Sequence, residues 1–119
     1  MSKILVVDDE PVQRSILRRI FERAGHEVAD AGDGAAALLA VGKSPPDLVV
    51  TDMMMPVMGG AELIRRLRRD PATAGIPILA ASGDCDLAVG ADAVIAKPYA
   101  WRDLAAAADA LLREGRDLR

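Results

Sequence analysis

Short apolar runs alternate with stretches of helical periodicity along the whole chain, and this alternation constrains the fold more than any other feature. Lys3-Ile-Leu-Val-Val-Asp8 is a β-branched run closed by acid, and its unbroken apolarity suits a strand buried on both faces of a parallel sheet. Pro11 then marks a first helical turn. Val12, Ile16, Leu17, Ile20 and Ala24 recur at three- and four-residue steps up to Gly25, giving an amphipathic helix whose polar face carries Arg14, Arg18, Arg19 and Arg23. His26 to Ala31 reads as a second strand, Gly34 to Val41 as an Ala/Leu-rich helix, and Leu48 to Asp52 as a third strand after the break at Pro45-Pro46. Gly59-Gly60 opens a helix with Leu63, Ile64 and Leu67 inward and Arg65, Arg66, Arg68 and Arg69 outward, stopped by Asp70-Pro71. Ile76 to Ser82 and Ala93 to Ala96 read as the last two strands, and Trp101 to Leu112 as a closing helix with Leu104, Ala108 and Leu111 inward.

Alternating β and α elements predict an α/β fold: a doubly wound, five-stranded parallel sheet with right-handed crossovers and the flavodoxin-like strand order 2-1-3-4-5. At 119 residues the chain fits one domain, and a composition 51% hydrophobic with only three aromatic residues calls for a core of Val, Ile, Leu, Ala and Met. One joint is irregular. About nine residues separate Ser82 from Asp92, fewer than a helical crossover usually needs, so the helix between the last two strands is expected to be shortened or absent.

Charge and cysteine content bound the function. The net charge is −3, and the arginines cluster locally without forming a domain-wide basic field, so direct nucleic-acid binding is not expected. The lone Cys85 excludes an internal disulfide and reads as an unreactive thiol, and no apolar run approaches the roughly 18 residues that span a bilayer. Cytoplasm is the expected compartment. Met53, Met54, Met55 and Met58 read as flexible gap-fillers, His26 as the exposed start of a strand, and the polar tail from Arg113 as a terminus or the stub of a linker.

The chemistry lies at the strand ends. Asp8 and Asp9 close the first strand, Asp52 the third, Ser82 the fourth, and Lys97 follows the fifth, all at carboxyl ends, where ligands of open α/β sheets bind. Asp8, Asp9 and Asp52 are therefore expected to share one shallow pocket. Crowded carboxylates repel one another unless a cation joins them, and an oxygen-only donor set selects a hard ion such as Mg²⁺. With such an ion beside Asp52 as nucleophile, and with Lys97 and the Ser82 hydroxyl reaching phosphoryl oxygens, the set forms a phosphoryl-transfer site.

The segments Lys3-Ile-Leu-Val-Val-Asp-Asp-Glu10, Asp52-Met-Met-Met-Pro-Val-Met-Gly-Gly60 and Gly90-Ala-Asp-Ala-Val-Ile-Ala-Lys-Pro98 resemble the response-regulator receiver family of bacterial two-component systems, over residues 1–119 as one receiver domain. The resemblance implies that Asp52 accepts a phosphoryl group from a histidine kinase or phosphotransfer protein. It further implies that Asp9 binds Mg²⁺ directly, Asp8 mainly through water, and the Met54 backbone carbonyl as a further ligand. Lys97 and Ser82 would hold the phosphoryl oxygens, with Lys97-Pro98 a cis peptide, and the first helix is where receivers dock their kinases. Such a domain is a switch for an unknown downstream protein rather than a conventional enzyme, although it catalyses its own phosphorylation and dephosphorylation. Two departures stand out: the missing helix, and Val94 where the family carries an aromatic residue. They motivate an alternative, a phosphorylation-independent interaction module. An Asp-nucleophile phosphatase of the haloacid dehalogenase type needs a second acid two residues past the nucleophile, where this chain has Met54.

Overall fold

The computed structural model describes residues 2–83 and 88–118, with the backbone course alone over 115–118. The order is β1 (Lys3–Val7), α1 (Pro11–Arg23), β2 (Glu27–Ala31), α2 (Gly34–Lys43), β3 (Leu48–Asp52), α3 (Gly60–Arg69), β4 (Ile78–Ser82), β5 (Ala93–Ala96) and α4 (Trp101–Leu118). Every strand pairing is parallel and the sheet runs β2-β1-β3-β4-β5, the expected flavodoxin-like arrangement. Register brings the carboxyl ends level, with Val7 opposite Thr51, Asp52 opposite Ala81 and Ser82 opposite Ala96.

Because successive strand residues point to opposite faces, each apolar run feeds two cores. Leu5, Val7, Val49, Ile78 and Ala80 pack with Leu63, Ile64 and Leu67 of α3 and with Ala37 and Val41 of α2. Ile4, Val6, Leu48, Val50 and Leu79 pack on the other face with Leu17 and Phe21 of α1 and with Leu104, Ala108, Leu111 and Leu112 of α4. Helix ends follow local chemistry: Pro11 opens α1, Gly25 follows its end at φ +94, and the Asp33 side chain caps α2 by accepting the Ala36 N–H at 2.9 Å.

Three details differ from the sequence expectation. In α1 the buried face is Leu17 and Phe21, while Val12 is 72% exposed and Ile16 is 39% exposed. Val12, Ile16 and Ile20 instead border a surface groove with Arg19 and Arg23. His26 precedes β2 and is largely covered; its Nδ1 accepts the Ser2 N–H at 3.3 Å, and Nε2 lies 3.8 Å from Asp109 on α4. Finally, α4 continues past Leu112 to Leu118.

No helix lies between β4 and β5 among the described residues, and residues 84–87, Cys85 included, fall outside them. Arg68 does not point outward with its neighbours. Its guanidinium donates to the carbonyls of Gly90 (3.0 Å), Ala74 (2.8 Å) and Ile76 (2.8 Å) and pairs with Asp92 at 2.6 Å. Asp92 in turn accepts the Ile78 N–H at 2.7 Å. A planar, five-donor cation thus ties the end of α3 to both strands of the irregular joint, fixing where β5 starts.

Candidate functional site

Asp8, Asp9 and Asp52 come together as expected, with one carboxylate oxygen of each within 4.8 Å of the others. Asp8 is 5% exposed and held from three directions: its N–H donates to Ala31 O (3.1 Å), Arg14 Nη1 donates to its carbonyl (2.8 Å), and its Oδ1 accepts the Glu10 N–H (2.9 Å). Asp9 faces solvent beside it. Asp52 closes β3, and its Oδ1 accepts both the Met53 N–H and the Lys97 ammonium at 2.8 Å. Lys97 is placed by β5 and by its own N–H, which donates to Ser82 O at 2.9 Å, and the Lys97-Pro98 peptide is cis. Ser82 lies buried at the carboxyl end of β4, one residue past the partner of Asp52.

The electrostatics favour a cation. Burial pushes the Asp8 carboxyl above the ordinary carboxylate range; the Glu10 amide opposes this and the Asp52 charge adds to it. Burial opposes the Lys97 charge, but its hydrogen bond to Asp52 and the charges of Asp52 and Asp8 outweigh burial and hold its pKa above the usual lysine value. A small all-oxygen cluster with one carboxylate under repulsion fits a hard divalent ion, which would relieve the crowding.

In chelator-treated protein, Asp8→Asn is therefore expected to raise stability by on the order of 1 kcal/mol near neutral pH. The amide oxygen keeps the Glu10 contact while the buried charge disappears. The sign follows from linkage: a raised folded-state pKa means the fold binds a proton more tightly than the unfolded chain, so wild-type stability falls as pH rises through that value. Urea midpoints of the two chains should thus diverge with increasing pH, and coincidence at neutral pH would refute the crowding argument.

The β3–α3 loop borders the cluster. Met53, Met55 and Met58 pack into or against the core as gap-fillers, whereas Met54 is 72% exposed. Val57 has φ +66, a left-handed conformation that β-branched residues rarely adopt. The loop is tied down by Gly34 N–H to Met58 O (2.9 Å) and Gly60 N–H to Met53 O (3.0 Å).

Three residues to which the sequence reading gave no part in the site also line it. A cleft of about 480 Å³ is lined by Asp8, Asp52, Lys97 and Pro98 and continues past Glu10 to Gln13, Tyr99 and Trp101. Gln13 Nε2 donates to the Tyr99 hydroxyl at 3.3 Å, and the Tyr99 and Trp101 rings meet edge to face with centroids 5.4 Å apart. A contact across 86 positions leaves no periodic trace, and the available hint was that two of the three aromatics follow Lys97-Pro98 so closely.

Fold and cleft together are those of a response-regulator receiver, and the comparisons agree: the chain belongs to the response regulator receiver domain family, which it matches over residues 4–109. It is 42% identical over 117 residues to the phosphate regulon transcriptional regulatory protein PhoB of Pseudomonas aeruginosa, covering 92% of this chain and 51% of that protein. Identity to the DNA-binding response regulator MtrA of Mycolicibacterium smegmatis is 38% over 122 residues, covering 97% and 52%. The chain thus spans about half the length of the curated relatives it matches. Among solved structures, the signal receiver domain of a signal transduction histidine kinase from Syntrophus aciditrophicus superposes with a TM-score of 0.89 at 31% identity, covering 96% of this chain and 92% of that one. No described helix is long and apolar enough to cross a membrane.

Proposed function

We propose that residues 1–119 form one receiver unit, cytoplasmic in location, in which Asp52 accepts a phosphoryl group in a Mg²⁺-dependent reaction. The single observation that carries this reading is the convergence of Asp8, Asp9 and Asp52 on one point with Lys97 bonded to Asp52. Asp8, Asp9, Asp52 and the Met54 carbonyl would hold the ion, which when bound offsets the charge that a carboxylate presents to an incoming phosphoryl group. Asp52 supplies the attacking oxygen, and Lys97 and Ser82 hold the oxygens of the transferred group. The same groups serve the later hydrolysis, so the domain acts on itself without turning over a separate substrate.

The donor is a histidine kinase or phosphotransfer protein, and its docking surface is the α1 groove, where exposed Val12 and Ile16 lie beside Arg19 and Arg23. The downstream target is a protein, and no nucleic-acid or membrane contact is assigned to this domain. The phosphorylation-independent reading is not favoured, because Lys97 and all three acids stand in place for chemistry.

The test is phosphotransfer with acetyl phosphate or a kinase in the presence of Mg²⁺. An acid-stable, base-labile adduct is expected on the wild type and none on Asp52→Asn. Equal labelling of both would put the acceptor elsewhere, and no labelling of the wild type would return the interaction-module reading.

A further inference from the structure

Asp8, Asp52 and Lys97 share the cleft with Glu10, Gln13, Tyr99 and Trp101, and the proposed metal and phosphoryl chemistry gives none of these four a role. An aromatic pair, an amide and a carboxylate make a seat for a flat, positively charged ring: aromatic faces attract cations, Glu10 adds negative charge, and the Gln13 amide oxygen can accept a ring N–H. The Tyr99 hydroxyl fixes the Gln13 amide by accepting from its Nε2, so the seat is held from both α1 and the start of α4.

We infer that Gln13, Tyr99 and Trp101 bind the protonated imidazole ring of the intact phosphodonor, which leaves as neutral imidazole, and make the chain discriminate for N-phosphorylated imidazoles over acyl phosphates. The inference rests on the phosphoacceptor reading. In the reaction the Asp52 carboxylate oxygen forms the new P–O bond and the P–N bond breaks. The bonding pair returns to the ring nitrogen, and the donor, protonated on its other nitrogen, departs as neutral imidazole. No further reactant is required. An acetate leaving group has the opposite fit, since it departs as an anion among the carboxylates of Glu10, Asp8 and Asp9 and gains nothing from a ring face.

The experiment measures initial rates of adduct formation from phosphoimidazole and from acetyl phosphate, at one pH and one Mg²⁺ concentration. The proteins are wild type, Trp101→Ala, Trp101→Phe and Gln13→Ala. The phosphoimidazole to acetyl phosphate rate ratio is expected to fall about tenfold in Trp101→Ala, to recover in Trp101→Phe, and to fall in Gln13→Ala. Because each ratio is internal to one protein, a variant that is partly unfolded lowers both rates and leaves it unaffected. An unchanged ratio in both alanine variants overturns the inference while leaving Asp52 as the acceptor. Failure of both donors to label the wild type overturns the acceptor reading, and this inference with it.

Discussion

Lys97→Ala is expected to slow phosphoryl uptake by roughly 100-fold, the usual cost of removing one preorganised donor from a developing oxyanion. The ammonium sits 2.8 Å from Asp52 Oδ1 and is carried by a strand whose register is fixed on one side by β4 and at its start by the Arg68–Asp92 pair. No other described Lys or Arg lines this cleft, so none is placed to substitute. Mg²⁺ affinity should move the other way. In the metal-free protein the Lys97 ammonium already offsets part of the Asp52 charge that would attract an ion, so its removal should tighten Mg²⁺ binding several-fold. Stopped-flow phosphorylation and a calorimetric Mg²⁺ titration check the two halves, and a variant that lost both together would point to collapse of the cleft. The charge itself is not in play near neutrality. A lysine pKa raised in the folded state contributes stability that is complete below the ordinary lysine value and lost only as pH climbs through the folded one.

Gly60→Ala should cost about 3 kcal/mol, a large part of the 5–15 kcal/mol that stabilises a domain of this kind. Helix propensity alone predicts a gain of about 1 kcal/mol from alanine. Sterics decide the sign, because a Cβ at Gly60 would lie 2.5 Å from the Asp52 carbonyl oxygen and 2.8 Å from Met53 Cα. These are backbone atoms of the strand end and its first loop residue, and the Asp52 carbonyl is further held by the Thr51 hydroxyl at 2.7 Å. Relief requires α3 to move off the end of β3. A urea midpoint close to wild type would mean that α3 and β3 can separate freely.

What could be read from the sequence follows from which signals are local. Unbroken runs such as Ile4 to Val7 announce strands buried on both sides, and acids ending the first and third of them place Asp8, Asp9 and Asp52 at one edge once the strand order is known. The choice of buried face in α1 was not local. Val12, Ile16 and Ile20 form one stripe at four-residue spacing and Leu17 and Phe21 form the next, and periodicity cannot say which meets the sheet. The bulkier stripe went inward, with Phe21 buried in the cluster that also holds Ile4, Val28 and the apolar residues of α4. Arg68 illustrates a second limit. Its place among four arginines of α3 suggests a solvated face, yet its three carbonyl partners belong to a loop and a turn whose positions no helical pattern encodes. The Gln13–Tyr99 bond escaped for the same reason, joining the first helix to the residue after the cis proline. The expected exposure of His26 failed because Ser2 and Asp109 close over it from both ends of the chain.

The backward twist at Val57 has a mechanical side. Holding a branched residue at φ +66 stores about 1–3 kcal/mol, and that load is borne by the bonds fastening Met58 to Gly34 and Gly60 to Met53. The segment carrying the Met54 carbonyl behaves as a spring clipped to the first residues of α2 and α3. Whatever unfastens either clip lets the stored twist relax.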